Sequence, residues 1–106
     1  MPSAARIGDA HRCDEHTPVA HGGGPVVTGA RHVYVGGRNA ARVGDGAHCE
    51  GGLEDLIVEG EPTVLIAGAA AARRGDRTGG GALLSGLDTV QIGPVRRRRR
   101  RGESGR

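Results

Sequence analysis

Short apolar runs punctuated by glycine recur along the chain. Val26-Val27-Thr28-Gly29 leads, three residues on, to Val33-Tyr34-Val35-Gly36. Ile57-Val58-Glu59-Gly60 leads at the same spacing to Val64-Leu65-Ile66-Ala67, and Leu83-Leu84-Ser85-Gly86 leads to Val90-Gln91-Ile92-Gly93. Within each second run the aliphatics alternate with other residues: Val33 and Val35, Val64 and Ile66, Val90 and Ile92. A period of two predicts strands with one buried face. Two such runs flanking a glycine turn predict a β-hairpin. Only Ala67 to Arg74 has a helix-favouring composition, and Gly68 and Gly75, which bound it, weigh against a helix there.

A second unit accompanies the runs. Ala4-Ala5-Arg6-Ile7-Gly8-Asp9 returns as Ala40-Ala41-Arg42-Val43-Gly44-Asp45 and again as Ala71-Ala72-Arg73-Arg74-Gly75-Asp76. In each Gly-Asp pair glycine permits a positive φ and the aspartate can bind nearby backbone N–H groups, which is turn chemistry. Three short hairpins cannot each make a core, but around a pseudo-threefold axis they can share one.

Composition makes that sharing necessary. A chain of 106 residues is one small domain. Glycine accounts for 21 residues, Phe and Trp are absent, Tyr34 is the lone aromatic, and Leu, Ile and Val together number 20. Small aliphatics bury little area, so a staple is expected: a metal, a disulfide or a partner surface. Glycine spread throughout excludes a helical bundle.

Charge divides the chain in two. Residues 95–106 hold seven arginines and one glutamate, whereas residues 1–94 hold eight arginines and eleven carboxylates. The run Arg96 to Arg101 repels itself and is expected to be a disordered arginine-rich tail following a folded domain of residues 1–94. With no aromatic stacking platform beside it, nucleic acid is disfavoured as its partner, and an acidic protein or cargo suits it better. The longest apolar stretch, Val64 to Ala72, falls short of the ~20 residues of a membrane helix, so stable membrane insertion is not expected. The N-terminus lacks the apolar run of a secretory signal peptide, so synthesis in the cytoplasm is expected.

Catalytic motifs fail on context. His21-Gly22-Gly23-Gly24 is similar to an esterase oxyanion loop, yet no Gly-x-Ser-x-Gly nucleophile elbow accompanies it. The chain has no lysine and therefore no P-loop. The sequence predicts no enzyme. It does offer metal ligands: His11, His16, His21, His32, His48, Cys13 and Cys49. Tetrahedral zinc takes cysteine sulfur and histidine nitrogen. The fourth residue after each Gly-Asp aspartate is Cys13, Cys49 and Gly80. A Cys13–Cys49 disulfide is disfavoured by a cytoplasmic origin. His16 and His32 are expected in a loop and on a solvated face.

Taken together, these residues resemble the PAAR-repeat family, named for a Pro-Ala-Ala-Arg motif. The copies here read Ser-Ala-Ala-Arg, Asn-Ala-Ala-Arg and Ala-Ala-Ala-Arg, each before x-Gly-Asp, and the resemblance runs from Pro2 to Pro94. Gly-Asp-x-His-x-Cys (Gly8 to Cys13), His-Gly-Gly-Gly-Pro (His21 to Pro25) and Gly-Asp-x-x-x-Cys (Gly44 to Cys49) are similar to the family's zinc-bearing members. The resemblance implies an all-β, cone-shaped, pseudo-threefold hairpin-repeat domain with almost no helix and a metal-stabilised tip. It implies a non-enzymatic protein that caps and sharpens the trimeric spike of a contractile injection machine, a type VI secretion system or related phage-tail-like particle. One tip would serve each trimer, aid piercing of the target envelope, carry an effector or adaptor, and be expelled with the apparatus. A monomer with three similar surfaces can cap a threefold trimer without mismatch. Three histidines and one cysteine hold structural zinc in such tips, and His11, His21 and Cys49 match those positions. The fourth does not, because Gly80 stands where the motif Gly-Asp-x-Thr-x-His has histidine; Cys13 and His48 are the candidates to replace it. The alternative is a small zinc-stabilised binding module whose arginine tail grips nucleic acid or acidic partners.

Overall fold

Each Ala-Ala-Arg-x-Gly-Asp segment folds into the same four-residue turn. Asp9 donates its backbone N–H to the Arg6 carbonyl at 3.0 Å, and Gly8 at the third position has φ +94°, the conformation a type II turn demands. The Asp9 carboxylate accepts the Arg6 backbone N–H at 2.8 Å and the guanidinium at 3.1 Å. Arg42–Asp45 and Arg73–Asp76 repeat these contacts, with Gly44 and Gly75 at φ +96° and +92°. Burial alone would push the Asp9 carboxyl up, but hydrogen bonds from Arg6 and the Ser85 hydroxyl outweigh it and hold the group below the usual carboxylate range. Hydrogen bonding to Asp45 and Asp76 raises Arg42 and Arg73 in turn.

The computed structural model describes residues 2–13, 23–49 and 54–93, which hold eleven strands and no helix. The arginine-rich tail and the proposed boundary at Pro94 lie outside the described residues, as do His16 and His21.

Three alanines close the architecture. Ala5 donates its N–H to the Ala72 carbonyl at 3.1 Å, Ala72 to Ala41 at 3.0 Å, and Ala41 back to Ala5 at 2.9 Å. This ring of hydrogen bonds encircles the pseudo-threefold axis. Single bridges join Arg6 to Ala40, Arg42 to Ala71 and Ala4 to Arg73 in the same cyclic order. Each alanine of the three pairs is at most 1% exposed, so a longer side chain would have nowhere to go.

Two apolar layers flank the ring. In one, Val26, Ile57 and Leu83 pack with Ala5, Ala41, Ala72 and Ala47. In the other, Ala4, Ala71 and Ile92 are covered by Val35, Val64 and Ile66. Val26, Ile57 and Leu83 are equivalent positions of the three copies, as are Ala5, Ala41 and Ala72 in the first layer and Val35, Ile66 and Ile92 in the second.

The hairpins form one step further along the chain than the runs suggested. β4 (Tyr34–Val35) pairs with β5 (Arg38–Asn39) across Gly36-Gly37, and β8 (Glu61–Ile66) pairs with β9 (Ala69–Ala71) across Ala67-Gly68. The third hairpin is divided between the two ends: β11 (Leu87–Gln91) pairs with β1 (Ser3–Ala4). The second run of each copy thus pairs with the alanine segment of the next copy, not with its own first run. Gly29, Gly60 and Gly86, expected as hairpin turns, are points of close approach. A Cβ there would stand 2.7, 2.7 and 2.6 Å from the carbonyl oxygens of Ala40, Ala71 and Ala4. The helix considered for Ala67–Arg74 is absent, because β9 is the return arm of a hairpin.

The first runs connect copies on the other side of the ring. Val26 bridges to Ala47 and Ile57 to Thr78, while Leu83, in β10 (Gly81–Leu83), pairs with His11, in β2 (Ala10–Cys13). β3 (Gly24–Pro25) pairs with the other edge of β2, and β6 (Gly46–His48) with β7 (Glu54–Leu56). β2 of the first copy, β6 and β7 of the second and β10 of the third therefore lie together beside the Val26–Ile57–Leu83 layer.

Candidate metal centre

Strand alternation decides what points inward there. Along β2 exposure runs out, in, out, in, so His11 and Cys13 face the axis while Ala10 and Arg12 face solvent. Along β7 Glu54 and Leu56 are exposed and Asp55 is buried. Cys49, directly after β6, is 1% exposed.

His11, Cys13, Cys49 and Asp55 come together, with one potential ligand atom from each lying within 4.8 Å of all the others. The His11 Nε2 is 3.6 Å from Cys49 Sγ and 3.4 Å from Asp55 Oδ2. Ligand atoms of tetrahedral zinc, at bond lengths of about 2.0–2.3 Å, lie about 3.3–3.8 Å apart. The two separations from His11 are of that size, and the group could hold a metal ion. The His11 Nδ1 is 2.8 Å from the Gly24 carbonyl oxygen. A carbonyl only accepts, so the proton is assigned to Nδ1, which leaves the Nε2 lone pair facing the cluster. Ligating imidazoles are commonly oriented in this way.

The repeat register explains why these residues meet. His11, Ala47 and Thr78 are the second residues after the three aspartates, and Cys13, Cys49 and Gly80 the fourth. Asp55 precedes Ile57 by two, as Gly24 precedes Val26 and Gly81 precedes Leu83. Only the middle copy has a side chain at that position. The Asp55 carboxylate accepts the Leu56 N–H at 3.0 Å and the Gly80 N–H at 3.1 and 3.0 Å on its two oxygens.

Of the residues singled out from the sequence, His11, Cys13 and Cys49 are brought together. His48 lies exposed on the outer side of β6, and His32 is exposed on a turn. His21 lies outside the described residues. Cys13 and Cys49 are not joined in a disulfide. Asp55 was not anticipated. The signal for it was available in the alternation, since a residue two before a buried aliphatic in a strand shares its inward face.

A family model described as PAAR motif matches residues 17–86, a span that includes the second and third Ala-Ala-Arg copies, Cys49 and Asp55. No curated protein matches the chain.

Proposed function

The chain belongs to the PAAR-motif family of structural spike-tip modules, which fits contractile injection systems in general, and on that premise we propose that it caps the trimeric spike of such a machine. One copy sits on each trimer, sharpens its end and is expelled with it, in a type VI secretion system or a related phage-tail-like particle. The observation that carries this reading is the Ala5–Ala72–Ala41 hydrogen-bond ring. It gives one polypeptide the symmetry of three, so each spike chain meets a similar surface. Val33, Tyr34, Leu65 and Val90, exposed on strand segments of all three copies, supply apolar contact area. Among the described residues no helix is long and apolar enough to cross a membrane.

The protein acts mechanically rather than catalytically. Its metal is structural zinc, favoured by a donor set that mixes cysteine sulfur with histidine nitrogen. Beyond the Val26–Ile57–Leu83 layer no large apolar side chain is buried among the described residues, and an ion would tie β2, β6 and β7 together there. The arginine tail provides an attachment point for an acidic effector or adaptor.

Mixing the purified chain with its spike trimer and measuring the mass of the complex tests the proposal. One chain per trimer, held with weak salt dependence, is expected for an apolar docking face. Three chains per trimer, or no complex at any salt, would remove the spike-tip reading. DNA retention lost on deletion of residues 95–106 would then favour a zinc-stabilised binding module.

A further inference from the structure

His11 Nε2 and Asp55 Oδ2 face each other at 3.4 Å inside the protein, and the contact needs an explanation. With its proton on Nδ1, the imidazole presents a lone pair to a carboxylate oxygen. Cys49 Sγ faces the same nitrogen at 3.6 Å. The imidazole lone pair and the carboxylate repel in a buried space unless a cation lies between them, whereas a Cys49 thiol can donate its S–H to that same nitrogen. A direct N–H···O bond between ring and carboxylate would close to about 2.7–3.2 Å, shorter than the observed separation.

We infer that Asp55 is a ligand of the ion, completing a two-cysteine, one-histidine, one-aspartate set with His11, Cys13 and Cys49. The inference deepens the zinc reading above and rests on it. The third copy has Gly80 where a ligand side chain would stand, and that glycine hands over the role. Its N–H holds the carboxylate of Asp55, which reaches the centre from the neighbouring strand β7. A carboxylate has about four lone-pair sites. The Leu56 N–H bonds Oδ1 and the Gly80 N–H is shared between both oxygens, which leaves the second lone pair of Oδ2 for the ion. These donors also offset the negative charge of a site with two thiolates and one carboxylate around a divalent cation.

X-ray absorption on the zinc-loaded full chain tests this directly. Two sulfur scatterers at about 2.3 Å and two nitrogen or oxygen scatterers at about 2.0 Å are expected, with the outer-shell signature of a single imidazole. Asp55→Asn should weaken zinc retention about tenfold or more in chelator competition. Asp55→His should keep zinc and add a second imidazole signature. One sulfur, or two or more imidazoles in the parent protein, would assign the fourth position to His21 or His48 and overturn the inference while the zinc reading survives. Unchanged retention in Asp55→Asn would overturn it equally. A parent protein that takes up no zinc would end both.

Discussion

Gly80 donates its backbone N–H to both oxygens of the Asp55 carboxylate, at 3.1 and 3.0 Å. Gly79, next to it, completes the seat: a Cβ at that position would stand 2.7 Å from Asp55 Oδ1. Gly79→Ala should therefore displace the carboxylate without removing any donor atom. A fall in zinc retention of about tenfold is expected, because residues that orient ligands typically matter at that level. Chelator competition on the folded variant gives the comparison. Retention equal to the parent's would show that the carboxylate does not need this position.

The three motif arginines are equivalent in sequence and unequal in surroundings. Arg73 is 2% exposed and pairs with both Asp76 at 3.0 Å and Glu61 at 2.9 Å, whereas the Arg42 side chain is 24% exposed and binds Asp45. Arg73→Met takes the guanidinium from two buried carboxylates at once, a loss of about 3–5 kcal/mol. Arg42→Met removes a partly solvated pair and should cost about 1 kcal/mol. Urea unfolding of both variants checks the ranking, and equal losses would contradict it.

Closure of the threefold ring depends on the last described strand. Ile92 donates its N–H to the Pro2 carbonyl at 3.0 Å and joins the Ala4–Ala71 layer, and Asp88 accepts the Ser3 hydroxyl at 2.6 Å. A chain ending at Pro94 keeps all of these contacts and should melt within a degree or two of the full chain. One ending at Leu87 loses β11 as partner of β1 and should unfold at markedly lower temperature. Thermal melts of the two truncations measure this, and a large drop in the first would make the arginine tail part of the fold.

Much of the architecture was legible because it is local. The turn at Arg6-Ile7-Gly8-Asp9 needs only a glycine that tolerates positive φ and an aspartate two bonds from the backbone, so spacing within six residues predicts it three times. The alternation held in part: Val35, Val64 and Ile66 are partly buried and Ile92 buried, but Val33 and Val90, expected on the same inward face, are exposed. Pairing partners were not local. Val26–Gly29 and Val33–Gly36 looked like two arms of one hairpin, but Gly29 lies against the Ala40 carbonyl, and the second run pairs with the following segment instead. The alternation in a strand does not say which neighbour it will meet.

The candidate centre divides in the same way. Cys13 and Cys49 were identifiable from their shared offset after Gly-Asp, and His11 from the resemblance to the family's zinc-bearing members; the three do come together. Asp55 was hidden, because an aspartate between Glu54 and Leu56 reads as one more surface charge until β7 is seen against β6 and Gly80 is seen across from it. By itself the sequence determined the threefold repeat, the turns and the all-β character of the described residues, which follow from short-range conformational preferences. Tertiary structure alone decided which strands pair and which side chains converge. Those depend on three copies closing around one axis, where residues far apart in the chain come within bonding distance of each other.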